Sequence, residues 1–270
     1  MNRRLGTIAA TCALALTAAS CATDTDTTDL EGGEKVVEEG KLTVCTHLPY
    51  EPFQYKDAGK IVGFDVDLMD LIAEELGVEQ TIVNTPFETI ETGQAMSTGK
   101  CDIAAAGMTI TEERERVMDF ADPYFEATQA LLVKKGAGYD SLEALAGETV
   151  GVQANTTGKA YAEDNAPEDV ELKTFEDLAL LTGAVKTGDV AAAINDNGVL
   201  YDFVKSNPET SVVKEFNTGE KYGFAAEKGD ANATKLMDMF NKALAKAKRD
   251  GTMEKIHQKW FGEVPGNVNQ

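Results

Sequence analysis

The sequence predicts an α/β protein, in which helices pack against largely parallel sheets. From Lys41 onward, short runs rich in β-branched residues alternate with helical stretches, and that alternation is typical of βαβ units. Of the 270 residues, 43% are hydrophobic and 26% are charged, which is the composition of a folded protein. A chain of this length is long enough for two lobes of ordinary domain size, each with its own core.

Seven short runs have the composition of strands. They are 42–46, 81–84, 102–105, 129–134, 149–152, 170–174 and 190–194. A helix is predicted where Leu68, Ile72 and Leu76 recur at helical spacing, because Gly77 then supplies a C-cap. His257 falls on a late amphipathic helix, where we expect it at the surface.

The charge balance limits the kinds of molecule that the protein can bind. There are 25 basic and 46 acidic residues, which gives a net charge of −21. Since phosphate binding needs a basic surface, we expect no nucleic-acid partner. Four cysteines and two histidines leave little room for a zinc or iron–sulfur framework. The usual motifs of nucleotide, metalloprotease and serine-hydrolase sites do not occur in the sequence, so we expect neither a metal nor a cofactor.

The first twenty residues have the pattern of an export signal. Arg3 and Arg4 precede an apolar, alanine-rich run over 5–19 that contains no acidic residue. This run is shorter than the ~20 residues that a membrane-spanning helix needs. Residues 1–20 are therefore predicted to be a cleavable signal peptide.

The end of that run, TAASC at 17–21, resembles a bacterial lipobox, although a lipobox more often has leucine at the position of Ala18. The resemblance implies that Cys21 is acylated, as by palmitate, and anchors the protein to the outer face of the bacterial cell membrane. An ordinary signal peptide cleaved near Ala19, with a chance cysteine, is the alternative. Residues 21–40 are acidic and poor in large apolar side chains, which predicts a flexible tether.

Three loops that follow predicted strands carry polar groups suited to a zwitterion. Arg114, after the strand at 102–105, can fork onto a carboxylate. Thr156 and Thr157, after the strand at 149–152, open a helix whose free N–H groups can hold an anion. Asp196 follows the strand at 190–194, at the strand end where α/β sheets bind ligands. Taken singly, Arg114 is equally consistent with a surface ion pair and Asp196 with a helix cap.

Five motifs carry a resemblance to a known family. They are PYEPF at 49–53, GFDVDL at 63–68, GMTIT at 107–111, DFADPY at 119–124 and KWFG at 259–262. Together they are similar to the family 3 extracellular solute-binding proteins, the polar amino-acid receptors of ABC importers. The resemblance extends from about Lys41 to Phe261.

The resemblance implies a type II periplasmic-binding-protein fold, with two α/β lobes joined by hinge crossovers near 124–128 and 220–223. Lobe 1 is then discontinuous, over 41–127 and 223–266, and lobe 2 covers 128–222. The implied function is that of an extracytoplasmic receptor, a monomer, that binds an L-amino acid between closing lobes. It delivers this ligand to the membrane permease subunits of an ABC importer.

The resemblance also implies roles for site residues. Arg114 is expected to pair with the ligand α-carboxylate, together with the backbone N–H groups of Thr109 and Thr157. The Gly107 carbonyl, the Thr109 hydroxyl and Asp196 are expected to receive the α-ammonium. The ligand side chain is expected to lie between Tyr50 and Phe87.

The identity of the ligand side chain is less well defined. Family members that bind cationic ligands tend to have aspartate where this chain has His47, and Gln153 and Asn195 supply neutral amides at other wall positions. This combination favours a polar neutral or acidic amino acid over lysine or arginine. An acidic residue pointing inward would reverse the preference, the candidates being Glu51, Glu88 and Glu126.

Two other classes of protein are compatible with the fold. Some relatives are extracytoplasmic cyclohexadienyl or arogenate dehydratases, which need a general acid in the cleft, and His47 or Glu88 are candidates for that role. The ligand-sensing domain of a receptor is the other, and we regard it as less favoured because no signalling segment follows Gly262.

Cys45 and Cys101 leave two readings open. Export from the cell favours a disulfide between them. If His47 and Gly107 lie at the same height on parallel strands, however, the two cysteines differ by four residues, or ~13 Å at ~3.3 Å per residue. That is beyond the ~7 Å limit for bridged Cα atoms. The strand argument therefore slightly favours two free thiols in the core.

Overall fold

Two five-stranded sheets form the framework of the protein. The computed structural model describes residues 28–29 and 35–262. The strands are β1 Thr28–Asp29, β2 Lys35–Val36, β3 Lys41–Thr46, β4 Tyr55–Asp57, β5 Lys60–Val62, β6 Glu79–Asn84, β7 Ile103–Ala104, β8 Met118–Phe120, β9 Phe125–Lys134, β10 Thr149–Gln153, β11 Glu171–Phe175, β12 Ala192–Asp196, β13 Thr210–Tyr222 and β14 Ala225–Glu227. The predicted signal peptide and Cys21 lie outside the described residues.

Helices cover the sheets. They are α1 Phe64–Leu76, α2 Phe87–Glu91, α3 Gln94–Ser97, α4 Glu112–Glu115, α5 Thr157–Asn165, α6 Leu178–Thr187, α7 Asn197–Ser206, α8 Ala231–Asp250 and α9 Thr252–Phe261, with a 3-10 helix at Glu143–Leu145. The α/β expectation is therefore met. The predicted strands at 42–46, 81–84, 102–105, 129–134, 149–152, 170–174 and 190–194 all overlap observed strands.

Both sheets are mixed rather than largely parallel. The first has the order β6-β3-β7-β14-β8, and β14 runs antiparallel to both of its neighbours. The second has the order β11-β10-β12-β9-β13, and β9 runs antiparallel to β12 and β13. The antiparallel strands are those at which the chain passes from one sheet to the other, so the crossovers account for the departure from a parallel arrangement.

The chain changes sheets twice, between β8 and β9 and between β13 and β14. The first sheet thus contains strands from 41–120 together with 225–227, and the second contains strands from 125–222. The predicted lobe boundaries stay a prediction, because the structure shows which sheet each strand belongs to but not where one lobe ends and the other begins.

Helix α1 begins at a position that only glycine fills. Gly63 precedes it with φ 147°, and a Cβ there would lie 1.9 Å from the carbonyl oxygen of Phe53. Gly77 ends the helix in the left-handed conformation, and its N–H donates to the carbonyls of Ala73 and Glu74. The buried face of α1 includes Leu68 and its predicted neighbours, so the periodicity indicated this helix correctly.

Residues 35–40 correct the predicted tether. Val36 is 1% exposed, and the backbone N–H of Val37 donates to the Asp102 carboxylate at 2.7 Å. The Thr43 N–H donates to the same carboxylate at 2.7 Å. This end of the acidic segment is held against the first sheet, because a partly buried carboxylate needs these donors. Composition averaged over 21–40 could not reveal one buried valine.

His257 is not a surface residue as predicted. It is half-buried on α9, and its ring centroid lies 4.8 Å from that of Phe261 and 5.9 Å from that of Phe64. Its ring also stacks on Phe125, the first residue of β9. The amphipathic pattern of α9 was correct, but the face carrying His257 packs against the aromatic residues at the first crossover.

Cys45 and Cys101 form a disulfide, so the preference for free thiols was wrong. Their Cα atoms are 5.7 Å apart, within the limit for a bridge. Cys101 precedes β7 and is not a rung of the sheet, where Cys45 is paired with Ala104. Counting residues along a straight strand therefore overestimated the separation of the two cysteines.

We expect alkylation of the denatured, unreduced protein to leave peptides containing Cys45 and Cys101 unlabelled, and reduction to make both reactive. Replacing both cysteines by alanine should lower the free energy of unfolding by about 2–5 kcal/mol, since loss of a native disulfide typically costs that much. Peptide mapping and urea denaturation measure the two effects. Full labelling of both cysteines without reductant would contradict the bridge.

Candidate functional site

A cleft between the two sheets gathers most of the predicted site residues. The space between its walls, counted together with its open mouth, is about 340 Å³. Its lining consists of His47, Tyr50, Gln54, Phe87, Ala106, Gly107, Thr109, Arg114, Gln153, Thr156, Thr157 and Asp196. Gln54 and Ala106 were not predicted, and the predicted Asn195 lies behind this wall.

Arg114 is buried in the cleft and not in a surface ion pair. It follows the N-cap Thr111 of α4, whose side chain accepts from the Arg114 N–H, and it is 5% exposed. Its guanidinium donates to the carbonyls of Thr109 at 2.8 Å and Asn155 at 3.0 Å, and so joins the two sides of the cleft. Burial lowers the pKa of Arg114, and the nearby Glu91 carboxylate opposes this shift.

The turn before α5 presents a helix start to the cleft. Asn155 has φ 61°, the left-handed conformation that asparagine tolerates better than most residues. Thr156 then caps α5 by accepting from the Lys159 N–H at 3.1 Å, and donates its own hydroxyl hydrogen to the Gln153 carbonyl. These local bonds place Thr156 and Thr157 on the cleft wall.

Asp196 precedes α7 but does not cap it, because its side chain makes no capping hydrogen bond. Its carboxylate instead accepts from the hydroxyls of Tyr50 at 2.6 Å and of Tyr222, and from the Gln129 amide. Burial, followed by the charge of Glu220, raises the pKa of Asp196 to about 6, and the three hydrogen bonds act in the opposite direction. Asp196 is thus a desolvated carboxylate held by donors.

Glu220 is a site residue that the sequence did not reveal. One of its carboxylate oxygens accepts from the hydroxyls of Thr109 and Thr157, each at 2.8 Å, and the carboxylate also accepts from Gln129. It lies two residues before the buried Tyr222 on β13. Since residues i and i+2 of a strand share a face, predicting β13 would have directed Glu220 inward.

Gly107 is held by a buried carboxylate. Its N–H donates to Asp65 at 2.8 Å, and the Tyr124 hydroxyl donates to the same side chain. Gly107 has φ 55°, and a Cβ there would lie 2.9 Å from the ring of Tyr50. Glycine is therefore required where the loop after β7 passes close to Tyr50.

One end of the cleft is formed by His47, Gln54 and Phe87. The His47 Nδ1 lies 3.1 Å from the Thr85 carbonyl, and Gln54 Nε2 donates to the His47 carbonyl at 3.3 Å. The Phe87 ring is 6.2 Å from the His47 ring and 5.4 Å from the Arg114 guanidinium carbon. Phe87, whose position was inferred only from the resemblance, therefore does reach the cleft.

The amides near the cleft form a second layer. Asn195 donates to Gln153 at 3.0 Å and accepts from the Tyr50 hydroxyl at 3.0 Å. The acidic residues that could have reversed the ligand preference, Glu51, Glu88 and Glu126, are exposed and do not line the cleft. Over residues 28–29 and 35–262, no cluster of three or more side chains suited to holding a metal is found. Within the same residues, no helix has the length and apolar character that crossing a bilayer requires.

Comparison with known proteins places the fold and then the family. Among the solved structures with this fold is an ancestral arginine-binding protein bound to glutamine, which is 43% identical, has a TM-score of 0.77 and matches over 84% of this chain and 100% of that one. Another is AncCDT-1, an ancestral amino-acid-binding protein and precursor of cyclohexadienyl dehydratase. It is 39% identical, has a TM-score of 0.76 and matches over 82% of this chain and 96% of that one. The expected two-lobed type II periplasmic-binding-protein fold is confirmed.

Residues 42–263 match the bacterial extracellular solute-binding proteins, family 3, and the chain belongs to that family, whose members are extracytoplasmic. Among its relatives are a probable histidine-binding protein of Neisseria gonorrhoeae, 33% identical over 83% of this chain and 84% of that protein. Another is the ABC transporter glutamine-binding protein GlnH of Bacillus subtilis (strain 168), which is 36% identical over 77% of this chain and 76% of that protein. These relatives are named as binding proteins and not as enzymes.

The buried Asp65 predicts a pH dependence of stability. Burial raises the pKa of Asp65 to about 7, whereas an unfolded aspartate titrates near ~3.9. The folded state therefore holds the extra proton between about pH 4 and 7, and the stability from this group is lost as the pH rises through that window. Asp102 and Asp196, with pKa values raised to about 6, act in the same direction.

We expect Asp65→Asn to reduce the fall in unfolding free energy between about pH 4 and 7, by on the order of 1 kcal/mol per pH unit. Urea denaturation at three pH values measures the slope. The exposed Asp57 provides the control, because Asp57→Asn should leave the slope as in the unaltered protein. Equal slopes for the Asp65 variant and the unaltered protein would be the contrary result.

Proposed function

We propose that this protein is a monomeric extracytoplasmic receptor that binds an L-amino acid between two closing lobes. It passes the ligand to the membrane permease subunits of an ABC importer, without turnover and without a cofactor. The observation that carries this proposal is the pair of opposite charges, Arg114 and Asp196, both about 5% exposed and both lining one cleft. An α-amino acid carries the complementary charges, a negative α-carboxylate and a positive α-ammonium.

The two ends of the zwitterion have distinct receptors. Arg114, with the backbone N–H groups of Thr109 and Thr157, is assigned to the α-carboxylate, because charge-assisted bonds are stronger than the guanidinium bonds to carbonyls that the structure shows. Asp196, the Gly107 carbonyl and the Thr109 hydroxyl are assigned to the α-ammonium.

Contacts across the cleft support closure on the ligand. Tyr50, beside the first sheet, donates to Asp196 of the second, and Arg114 donates to Asn155. A ligand held by residues from both sides stabilises the closed form by its differential affinity for it. We assign the moving units to lobe 1, over 41–127 and 223–266, and lobe 2, over 128–222.

The histidine and amides of the wall support a polar neutral or acidic ligand over lysine or arginine. His47 and Gln153 line the cleft, and Asn195 supports Gln153 from behind. The acidic residues at 51, 88 and 126 do not reach it. A further carboxylate, Glu220, contacts Thr109 and Thr157, at the end assigned to the α-carboxylate and α-ammonium.

Arg114→Ala should weaken amino-acid binding by roughly 30-fold or more, because removing one partner of a desolvated charge pair costs ~2–5 kcal/mol. Isothermal titration with each of the twenty amino acids measures it. Arg116→Ala is the matched control, since Arg116 ends the same helix but is exposed. If Arg114→Ala kept its affinity, the assignment of the α-carboxylate to this residue would be lost.

We further propose that acylated Cys21 anchors the protein to the outer face of the cell membrane. Cys21→Ser should move the protein from the membrane fraction to the soluble fraction, measured by fractionation and immunoblotting. A single acyl chain binds membranes only marginally, so stable retention requires more than one chain. Cys12→Ser, within the predicted signal, is the control and should leave the anchored protein in place. Membrane retention of Cys21→Ser would refute the lipobox.

A dehydratase is the second candidate function. AncCDT-1 is described as a precursor of cyclohexadienyl dehydratase, and in this chain two carboxylates, Asp196 and Glu220, accept from the same Gln129 amide. Paired carboxylates can perform acid–base chemistry. Incubation with prephenate and arogenate, followed by chromatography of the products, distinguishes the two functions, because a pure receptor forms no product.

A further inference from the structure

Glu220 lies behind the cleft wall, at the second crossover. It is on β13, two residues before Tyr222, and it does not line the cleft itself. One of its carboxylate oxygens accepts from the hydroxyls of two residues that do line the cleft, Thr109 and Thr157, each at 2.8 Å. The proposed function gives Glu220 no contact with the amino acid, so its effect on binding must pass through the residues that it contacts.

The two hydroxyls meet where the two sides of the cleft come together. Thr109 follows β7 of the first sheet, and Thr157 begins α5, which packs on the second sheet. Their oxygen atoms are 3.5 Å apart, and Glu220 accepts from both. The carboxylate therefore holds one hydroxyl from each side of the cleft.

These bonds decide where the hydroxyl hydrogens point. A hydroxyl has one hydrogen, and a carboxylate offers only acceptors, so both threonine hydrogens are directed at Glu220 and only lone pairs remain for other partners. Gln129 donates to the Thr157 oxygen at 3.3 Å and occupies one of those lone pairs. Among the described residues, no donor is left for the Thr109 oxygen, because the hydroxyl near it, that of Thr157, already donates to Glu220. Thr109 Oγ1 is thus an acceptor with unfilled lone pairs.

We infer that Glu220 is a positioning residue, which makes the Thr109 hydroxyl an acceptor and thereby makes the cleft select an α-ammonium group over an α-hydroxyl group. This inference rests on the proposed function, in which the Thr109 hydroxyl receives the α-ammonium, and adds the residue that fixes the direction of that hydroxyl. Without Glu220, the hydroxyl hydrogen is free to turn toward the ligand, where it opposes an N–H donor and suits the oxygen of a hydroxy acid. Selection of the amine therefore depends on a residue outside the cleft lining.

A direct effect of charge is the competing explanation for any role of Glu220 in binding. Glu220 and Asp196 accept from the same Gln129 amide, so a second negative charge lies close to the carboxylate assigned to the α-ammonium. Such a charge attracts a cation through space, whatever the direction of the Thr109 hydroxyl. The two explanations differ in whether Thr109 is required.

The 2-hydroxy acid that matches the preferred amino acid in side chain and configuration is the probe. Isothermal titration with the twenty L-amino acids identifies the tightest binder, and the ratio of the two dissociation constants gives the selectivity for ammonium. Glu220→Gln should lower this ratio at least about fivefold, because an amide has one acceptor oxygen where the carboxylate uses two, one for the threonine hydroxyls and one for Gln129.

Two further variants serve as control and as test of charge. Glu215→Gln is the matched control, since Glu215 lies on the same strand and also accepts from a hydroxyl and an amide, but is exposed. It should change the ratio less than about twofold. Glu220→Asp keeps the negative charge and withdraws the carboxylate by one methylene group, so it should still lower the ratio at least about threefold. An unchanged ratio in Glu220→Asp would overturn the inference in favour of charge alone.

A double-mutant cycle completes the test. Thr109→Val removes the hydroxyl at nearly the same shape, and in this background the effect of Glu220→Gln on the ratio should be at least about threefold smaller than in the unaltered protein. Equal effects in both backgrounds would overturn the inference and leave the proposed function standing, whereas absence of binding for all twenty amino acids would overturn both. Circular dichroism and thermal unfolding establish that each variant is folded, and Glu220→Asp replaces Glu220→Gln in the cycle if the latter does not fold.

Discussion

The arrangement of the cleft depends on satisfying one buried carboxylate. Asp196, at the end of a strand of the second sheet, accepts from Tyr50 beside the first sheet, from Tyr222 at a crossover and from Gln129. A desolvated carboxylate is costly unless it is paired with donors. Because its donors come from three parts of the molecule, the hydrogen bonds of Asp196 tie the second sheet, the segment beside the first sheet and the crossover together.

A second buried carboxylate repeats this principle beside the first sheet. Asp65, at the start of α1, accepts from the Gly107 N–H and from the Tyr124 hydroxyl. Each crossover thus has a tyrosine that donates to a buried carboxylate, Tyr124 to Asp65 and Tyr222 to Asp196, and the two rings are 6.3 Å apart. Through Asp65, Tyr124 ties its crossover to the loop of Gly107. Through Asp196, Tyr222 ties the other crossover to the opposite side of the cleft.

The sequence allowed the local elements to be predicted but not the long-range contacts. Helix α1 was predicted from helical periodicity and from Gly77, and seven strands were predicted from short runs with the composition of strands. The cleft residues Arg114 and Asp196 followed from strand-end positions together with the family motifs, and the structure brings them into one cleft. Strand β13 was missed because its alternation is broken by a register shift between Phe216 and Glu220. The inward position of Glu220 was lost with that strand.

Two other errors share one cause. The position of Cys101 relative to Cys45 and the exposure of His257 were both inferred from neighbouring residues in the sequence alone. Cys101 was placed on a straight strand, although it precedes β7 and approaches Cys45 from outside the ladder. His257 was assigned to the surface from its helix pattern, although α9 returns to the first crossover and packs His257 against Phe125. Neither contact has a signal within a few residues of sequence.

The charges of the cleft bear on which of the proposed ligands it would accept. Arg114 contributes one positive charge, and Asp196 and Glu220 contribute two negative charges when ionised, so the set is already one charge negative before a zwitterion enters. An acidic side chain would add a second uncompensated charge in a poorly solvated space. Glu220 does not in turn require a cation, because the hydroxyls of Thr109 and Thr157 and the Gln129 amide already donate to it. Among the ligands proposed for the cleft, electrostatics therefore favours polar neutral side chains over acidic ones.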